Sequence, residues 1–216
     1  GKVGAYLARP AKGAPFASIV VIHENRGLTE FVVDIAQRWA AEGLLGIAPD
    51  FLSRLGGTAG FASMDAAREG IGKLERPGVV ADLGATLTYL KTRKDVKKDR
   101  MGVSGFCWGG AQTFYFATES SELSFAVPFY GGAPPADRLE KIVCPIFAVC
   151  AEDDQRVNAS LDAIDVKMKE LGKNYTRRVY PRTQHAFMNF TGPRYNAEQA
   201  KAAWADVTGF VKKAVS

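Results

Sequence analysis

The sequence predicts an α/β fold: a mainly parallel sheet of seven to eight strands, with helices on both faces and no large lid domain. Three observations carry this. Short apolar runs rich in Val, Ile and Phe lack polar alternation, as strands buried on both faces do. These runs alternate with helix-patterned stretches, which places crossover helices between parallel strands. The chain has 216 residues with no internal repeat, enough for one sizeable core. Residues 1–216 are therefore read as a single domain.

The elements follow in order. Val3 to Ala8 and Ala17 to His23 read as strands, joined through the turn-rich RPAKGAP. Thr29 is placed to cap a helix that runs to about Glu42 and ends at Gly43. LLGIAPD is a third buried strand. Leu52 to Arg76 is Gly-rich and irregular, with one short helix near Met64 to Gly70; long connections of this kind are often functional. Val79 to Lys91 has helical spacing, Arg100 to Ser104 is a short strand, and Gly109 to Thr118 is a helix buried nearly all round. SFAVPFY and PIFAVCA are buried strands. Val157 to Leu171 is an amphipathic helix, YTRRVYP a strand, and Asn196 to Val215 a closing helix with Trp204, Val207, Phe210 and Val211 on one side.

Composition excludes several classes. Apolar residues make up 47% of the chain and charged residues 24%, a globular balance. No apolar run reaches the length of a bilayer span, so no membrane partner is expected. The net charge of +5 draws on the basic stretch Lys91 to Arg100. That stretch has no interleaved aromatics, so it reads as a helix end and solvated turn rather than a nucleic-acid patch. Three cysteines are too few for a disulfide framework. The two histidines lack zinc-ligand spacing and no Gly-rich dinucleotide loop is present, so neither metal nor cofactor is expected.

The chemistry centres on Gly105-Phe106-Cys107-Trp108-Gly109, after a strand and at the start of a helix. This is the G-x-nucleophile-x-G elbow with cysteine as nucleophile. The helix N-terminus aims free N–H groups at the sulfur, which suits a thiolate and a developing oxyanion. A base is needed next. His185, in RTQHAFMN, lies past the strand ending near Tyr180; His23 ends the second strand. A lone histidine is more often structural, but His185 stands where a base is required. An acid should orient it: Asp153 and Asp154 in CAEDDQRVN both qualify, Glu152 less so, and any of them could instead cap the next helix. The order cysteine, acid, histidine is that of the α/β-hydrolase fold. In that fold the loop after the second strand adds an oxyanion donor, here Asn25 in IHENRGL, alongside the N–H of Trp108. Glu24, beside it, could simply pair with Arg26 or Arg38. Phe51, Phe61, Trp108, Tyr130 and Phe187 could shape an apolar pocket, though core packing explains each nearly as well.

These motifs together, HENRGL, GLLGIAPDFLSR, GFCWGG, EDDQRV and QHAF, resemble the dienelactone hydrolase (carboxymethylenebutenolidase-like) family over almost the whole chain. The resemblance implies Cys107 as nucleophile, His185 as base and Asp154 as its orienter, since Asp154 stands three residues before Val157. It implies that Glu24 contacts the resting thiol and that Arg54 binds a substrate carboxylate; of the pocket aromatics, Tyr130 and Phe187 are expected beside the substrate. One departure is visible: family members acting on dienelactone tend to carry a second arginine where this chain has Asn189, so carboxylate recognition would fall to Arg182 or Arg194.

The expected activity is hydrolysis of activated esters or lactones, including carboxylate-bearing ones, by a monomer or small homo-oligomer without cofactor. Two rival readings are a peroxide-reactive thiol protein, with Cys144 or Cys150 as resolving cysteine, and a non-catalytic binding domain on a hydrolase scaffold. The expected compartment is the cytoplasm. The HENRGL form resembles a bacterial subgroup often exported by a twin-arginine signal, and a removed signal of that kind would make the protein periplasmic.

Overall fold

A computed structural model describes all residues, 1–216. Seven strands form one sheet in the order β1-β3-β2-β4-β5-β6-β7. They are β1 (Ala5–Ala8), β2 (Phe16–Ile22), β3 (Leu45–Pro49), β4 (Val96–Phe106), β5 (Phe125–Phe129), β6 (Ile146–Asp153) and β7 (Tyr175–Gln184). Only β1 runs antiparallel, pairing with β3 at one edge; every other pairing is parallel. The helices are α1 (Glu30–Ala41), α2 (Met64–Gly72), α3 (Arg76–Thr92), α4 (Trp108–Phe116), α5 (Gln155–Glu170) and α6 (Ala197–Val215).

The two-residue period of a strand sends alternate side chains to opposite faces. Along β2, Val20 and Ile22 join the core under α3, α4 and α5, while Ile19 and Val21 join the core under α1 and α6. Both faces are thus dry, which is why these strands carry no polar alternation. At Gly46 of β3 a Cβ would come within 2.6 Å of the Ala36 carbonyl oxygen, so α1 packs closely against the sheet there. No helix is long and apolar enough to cross a membrane.

Three boundaries differ from the sequence reading. Strand β4 begins at Val96 rather than Arg100, because a register shift against Phe16 and Ser18 extends the pairing into the basic stretch. Lys97 and Lys98 are therefore exposed strand residues, not turn residues. Helix α3 starts at Arg76, with Pro77 in its first turn, where a missing N–H costs nothing. Strand β7 runs on past Pro181 to Gln184, through an irregularity opposite Ala151–Asp153; proline is tolerated because β7 is an edge. His185 therefore follows its strand directly, with no loop needed to return it.

Candidate active site

Strands β2, β4, β6 and β7 deliver their carboxyl ends to one rim, where open parallel sheets place their chemistry. Cys107 sits between β4 and α4 at φ 57°, ψ −113°, a strained conformation for a side chain with a Cβ. The flanking glycines keep ordinary negative φ; they are needed for space. A Cβ on Gly105 would lie 2.3 Å from the Gly109 carbonyl oxygen, and one on Gly109 would lie 2.4 Å from the carbonyl oxygens of both Ile22 and His23. The glycines thus let α4 close on the ends of β2 and β4, and the strain falls on the cysteine. Tyr130 (φ 36°) and Ala186 (φ 70°) add two more strained positions around the same site.

Cys107 Sγ lies 3.0 Å from His185 Nε2, and His185 Nδ1 lies 2.5 Å from Asp154 Oδ2. Asp154 is buried and occupies the cap position of α5, but its carboxylate makes no capping bond and turns to His185 instead. Asp153 is exposed at the end of β6, and Glu152 accepts the Arg182 N–H. Of the three acidic candidates, the fold brings Asp154 to the histidine. Burial would depress the His185 pKa, but hydrogen bonds to Asp154 and Cys107 outweigh it and push it up to about 9. The ring therefore holds a proton through neutral pH.

His23 is the structural histidine. Its Nε2 accepts the Phe51 N–H at 3.2 Å, so Nδ1 carries the proton and donates to the Glu24 carbonyl at 2.7 Å. Burial lowers its pKa to about 4, keeping it neutral. That bond, with its ring stacked 5.5 Å from Trp108, steadies the loop carrying Asn25. The Asn25 N–H has no protein acceptor, and Trp108 supplies the first unsatisfied N–H of α4. Both residues line the space beside Cys107.

Glu24 is nearly buried, and burial raises its pKa. Its Oε2 accepts from Asn189 Nδ2 at 2.6 Å and its Oε1 faces the Tyr130 hydroxyl at 3.5 Å. It makes no hydrogen bond to the thiol, which faces His185, and no ion pair with Arg26 or Arg38. The expected approach of Glu24 to the thiol is not a hydrogen bond in this arrangement, although both line the same cavity. Asn189, noted in the sequence only as a missing arginine, is what holds the carboxylate.

Three further expectations need correcting. Arg54 does not reach Cys107: it forms an ion pair with the buried Asp82 in a separate cavity beside β1 and α3. Phe187 is fully buried and packs on Tyr130 and Tyr180, and Tyr130 is 1% exposed; both are core behind the site rather than pocket wall. Arg182 pairs with Glu198 at the surface, away from the cleft. Substituting Arg54 with alanine should leave the KM for carboxylate-bearing esters within about twofold. It should cost about 1 kcal/mol of stability, because Asp82 would stay buried without a partner. Urea unfolding and a KM series would check both, and a KM rise confined to carboxylate substrates would return Arg54 to substrate binding.

Two limbs of one cleft meet at Cys107. One, of about 470 Å³, is lined by Arg26, Arg68, Arg156, Arg194, His185 and Glu24 among others. The other, of about 600 Å³, is mixed: Ile71, Leu74, Val79, Trp108 and Ala133 share its lining with Asn25, Arg76, Gln112 and Arg156, and Asn25 and Arg156 line both limbs. No cluster of three or more His, Cys, Asp or Glu side chains is assembled to hold a metal. Cys144 and Cys150 are buried free thiols whose pKa values burial pushes up to about 12 and about 11, so neither is poised to resolve an oxidised Cys107.

The sequence pattern of the dienelactone hydrolase family matches residues 3–215. The chain belongs to the dienelactone hydrolase family. It is accordingly a carboxylic ester hydrolase with the α/β-hydrolase fold, as its sequence motifs suggested. A carboxymethylenebutenolidase homologue of Methylorubrum extorquens is 29% identical over 216 residues, covering 94% of this chain and 74% of the relative. Another from Saccharolobus solfataricus is 30% identical, covering 98% of this chain and 94% of the relative. A crystal structure of a dienelactone hydrolase homologue from Klebsiella pneumoniae superposes with a TM-score of 0.88 at 26% identity, covering 97% of this chain and 92% of that one.

The sequence reading missed Arg26, Arg68 and Arg156 as a group and named Arg182 and Arg194 as alternative anion binders, of which Arg194 lines the cleft. The available signal was positional: Arg26 follows β2 and Arg156 follows β6, both at carboxyl ends of strands, and Arg68 lies in the long connection after β3.

Proposed function

We propose that this dienelactone hydrolase relative cleaves activated carboxylic esters or lactones through a Cys107–His185–Asp154 triad and an acyl-thioester intermediate. The observation that carries the reading is the line from Sγ through the imidazole to Oδ2, with hydrogen-bond distances of 3.0 and 2.5 Å. The Cys107 proton passes to His185 Nε2 and sulfur attacks the carbonyl carbon, and the oxyanion is held by the N–H groups of Asn25 and Trp108. Losing one such donor typically raises a barrier by roughly 3 kcal/mol. The C–O bond breaks as His185 Nε2 passes its proton to the leaving oxygen. Water then enters, gives a proton to His185, and hydrolyses the thioester to acid and free thiol. Asp154 keeps the ring in the tautomer and orientation both steps need.

Rapid mixing with p-nitrophenyl butyrate tests this. A burst of nitrophenol equal to the enzyme concentration is expected, with a butyryl mass increment on the peptide that contains Cys107. An increment on another residue, or turnover with no covalent species under acid quench at any time, would remove the thioester from the mechanism.

A further inference from the structure

Asp50 and Thr58 take no part in the chemistry above, yet their hydrogen bonds end on the loop that carries Asn25. Glu24 to Gly27 forms a turn with Asn25 in its second position, and the bond that closes it, from the Gly27 N–H to the Glu24 carbonyl, is long at 3.4 Å. A bond of that length is weak, so the turn does little to hold its own shape. Two ties to the segment after β3 hold it instead. One is His23, set between the Glu24 carbonyl and the Phe51 N–H. The other is Thr58, whose Oγ1 accepts the Leu28 N–H at 2.8 Å. The second contact is close: a Cβ on Gly27, which takes φ 81°, would lie 2.2 Å from Thr58 Oγ1. Only glycine meets both demands there.

Behind Thr58 stands Asp50. Its buried carboxylate accepts the Leu52 N–H at 3.0 Å, the Thr58 N–H at 2.6 Å and the Thr58 hydroxyl at 2.8 Å, all neutral donors. A carboxylate only accepts, so it takes the Thr58 hydroxyl proton and leaves the oxygen lone pairs of Thr58 for Leu28. Its charge strengthens both bonds of this chain, which runs from Asp50 through Thr58 to Leu28. Burying a carboxylate away from any cation is costly. What offsets the cost is a single shape for residues 50–58 and, through Thr58, a fixed place for the turn.

That place matters because the two oxyanion donors ride on different elements. Trp108 moves with α4, which Gly109 seats against β2; Asn25 moves with the turn. An oxyanion donor must stand within hydrogen-bond reach of the developing charge, and misplacement by about 1 Å can cost about a hundredfold in rate. We infer that Asp50 and Thr58 are positioning residues: their hydrogen bonds hold the Asn25 N–H in register with that of Trp108. The inference rests on the oxyanion role given to Asn25 above.

Matched ketones separate this role from general loosening of the cleft. The thiol adds to the carbonyl of 1,1,1-trifluoro-2-pentanone, forming a C–S bond and an oxyanion, whereas 2-pentanone binds without adding. Thr58→Val replaces the hydroxyl with a methyl group of the same shape, and Thr58 is only half-buried, so the variant should fold. Its kcat/KM for p-nitrophenyl butyrate should fall by about tenfold or more, and the inhibition constant of the trifluoro ketone should rise by the same factor. That of 2-pentanone should stay within about twofold. Thr58→Ser keeps the hydroxyl and should restore the parent values. Asp50→Asn, which turns an amide donor towards the donors it must accept, should repeat the selective loss. Thr86→Val loses a comparable hydroxyl inside α3 and should match the parent. Unchanged kcat/KM in Thr58→Val and Asp50→Asn, an equal rise for both ketones, or a serine variant no better than the valine one would overturn the inference and leave the thioester mechanism standing. A parent enzyme that binds the trifluoro ketone no more tightly than 2-pentanone would overturn the oxyanion assignment, and this inference with it.

Discussion

Replacing Cys107 with alanine should lower kcat for p-nitrophenyl butyrate by at least about 10³-fold and abolish the burst, because no other nucleophile faces the oxyanion donors. The folded structure should survive. Alanine inherits the same strained backbone, and the 3.0 Å contact to His185 is a polar one in a solvent-filled cleft. The conformation at Cys107 also makes a second substitution informative. At φ 57° and ψ −113° any residue with a Cβ is strained, whereas glycine is not. Cys107→Gly should therefore be inactive yet more stable than the alanine variant by about 1 kcal/mol in urea unfolding. Retained turnover in Cys107→Ala would end the nucleophile assignment. Equal stability of the two variants would show that the elbow is not strained, and would leave the nucleophile untouched.

Gly109→Ala should be the most damaging single methyl group that can be added at the site. The new Cβ would sit 2.4 Å from two consecutive carbonyl oxygens, those of Ile22 and His23, and backbone at the end of a central strand cannot swing aside as a flexible side chain would. Helix α4 must move off β2. Overpacking of this kind costs about 3 kcal/mol, or roughly 10 °C in Tm for a chain of this size. The movement also separates the Trp108 N–H from the Asn25 N–H, because the first travels with α4 and the second with the β2 loop. kcat should fall by about 10²-fold in the fraction that remains folded, in line with the loss of one oxyanion donor. Calorimetry with ester turnover measured well below the melting point would check both. A Tm within about 2 °C of the parent would show that the close approach is not needed for stability.

Much of this site was legible because its signals are local. The nucleophile elbow is a short run whose glycines answer to backbone contacts a few residues away, apart from the approach of Gly109 to β2. The order of cysteine, acid and histidine follows from the order of strands, and the strands announce themselves as unbroken apolar runs. At the elbow the cysteine takes the unusual dihedral angles, and the glycines supply the room that lets α4 approach the ends of β2 and β4.

Side chains whose partners come from distant loops were not legible. Arg54 follows β3 in a motif that implies carboxylate binding, yet the folded chain points it at Asp82 of α3. Phe187 was proposed beside the substrate, but the turn after His185 folds it inward onto Tyr180.

By itself, then, the sequence determined the sheet-and-helix order, the elbow at Cys107 and the chain order of its partners, since these depend on periodicity and on short-range sterics. Its resemblance to the family also favoured Asp154 over Asp153. Only the tertiary structure decided that Asn189 and Tyr130 hold Glu24. Only it decided that four arginines from two loops and two helices share one limb of the cleft. The reason is physical. A side chain's partner is set by ångström-scale distances between segments far apart in the chain, and those distances exist only once the helices have closed on both faces of the sheet.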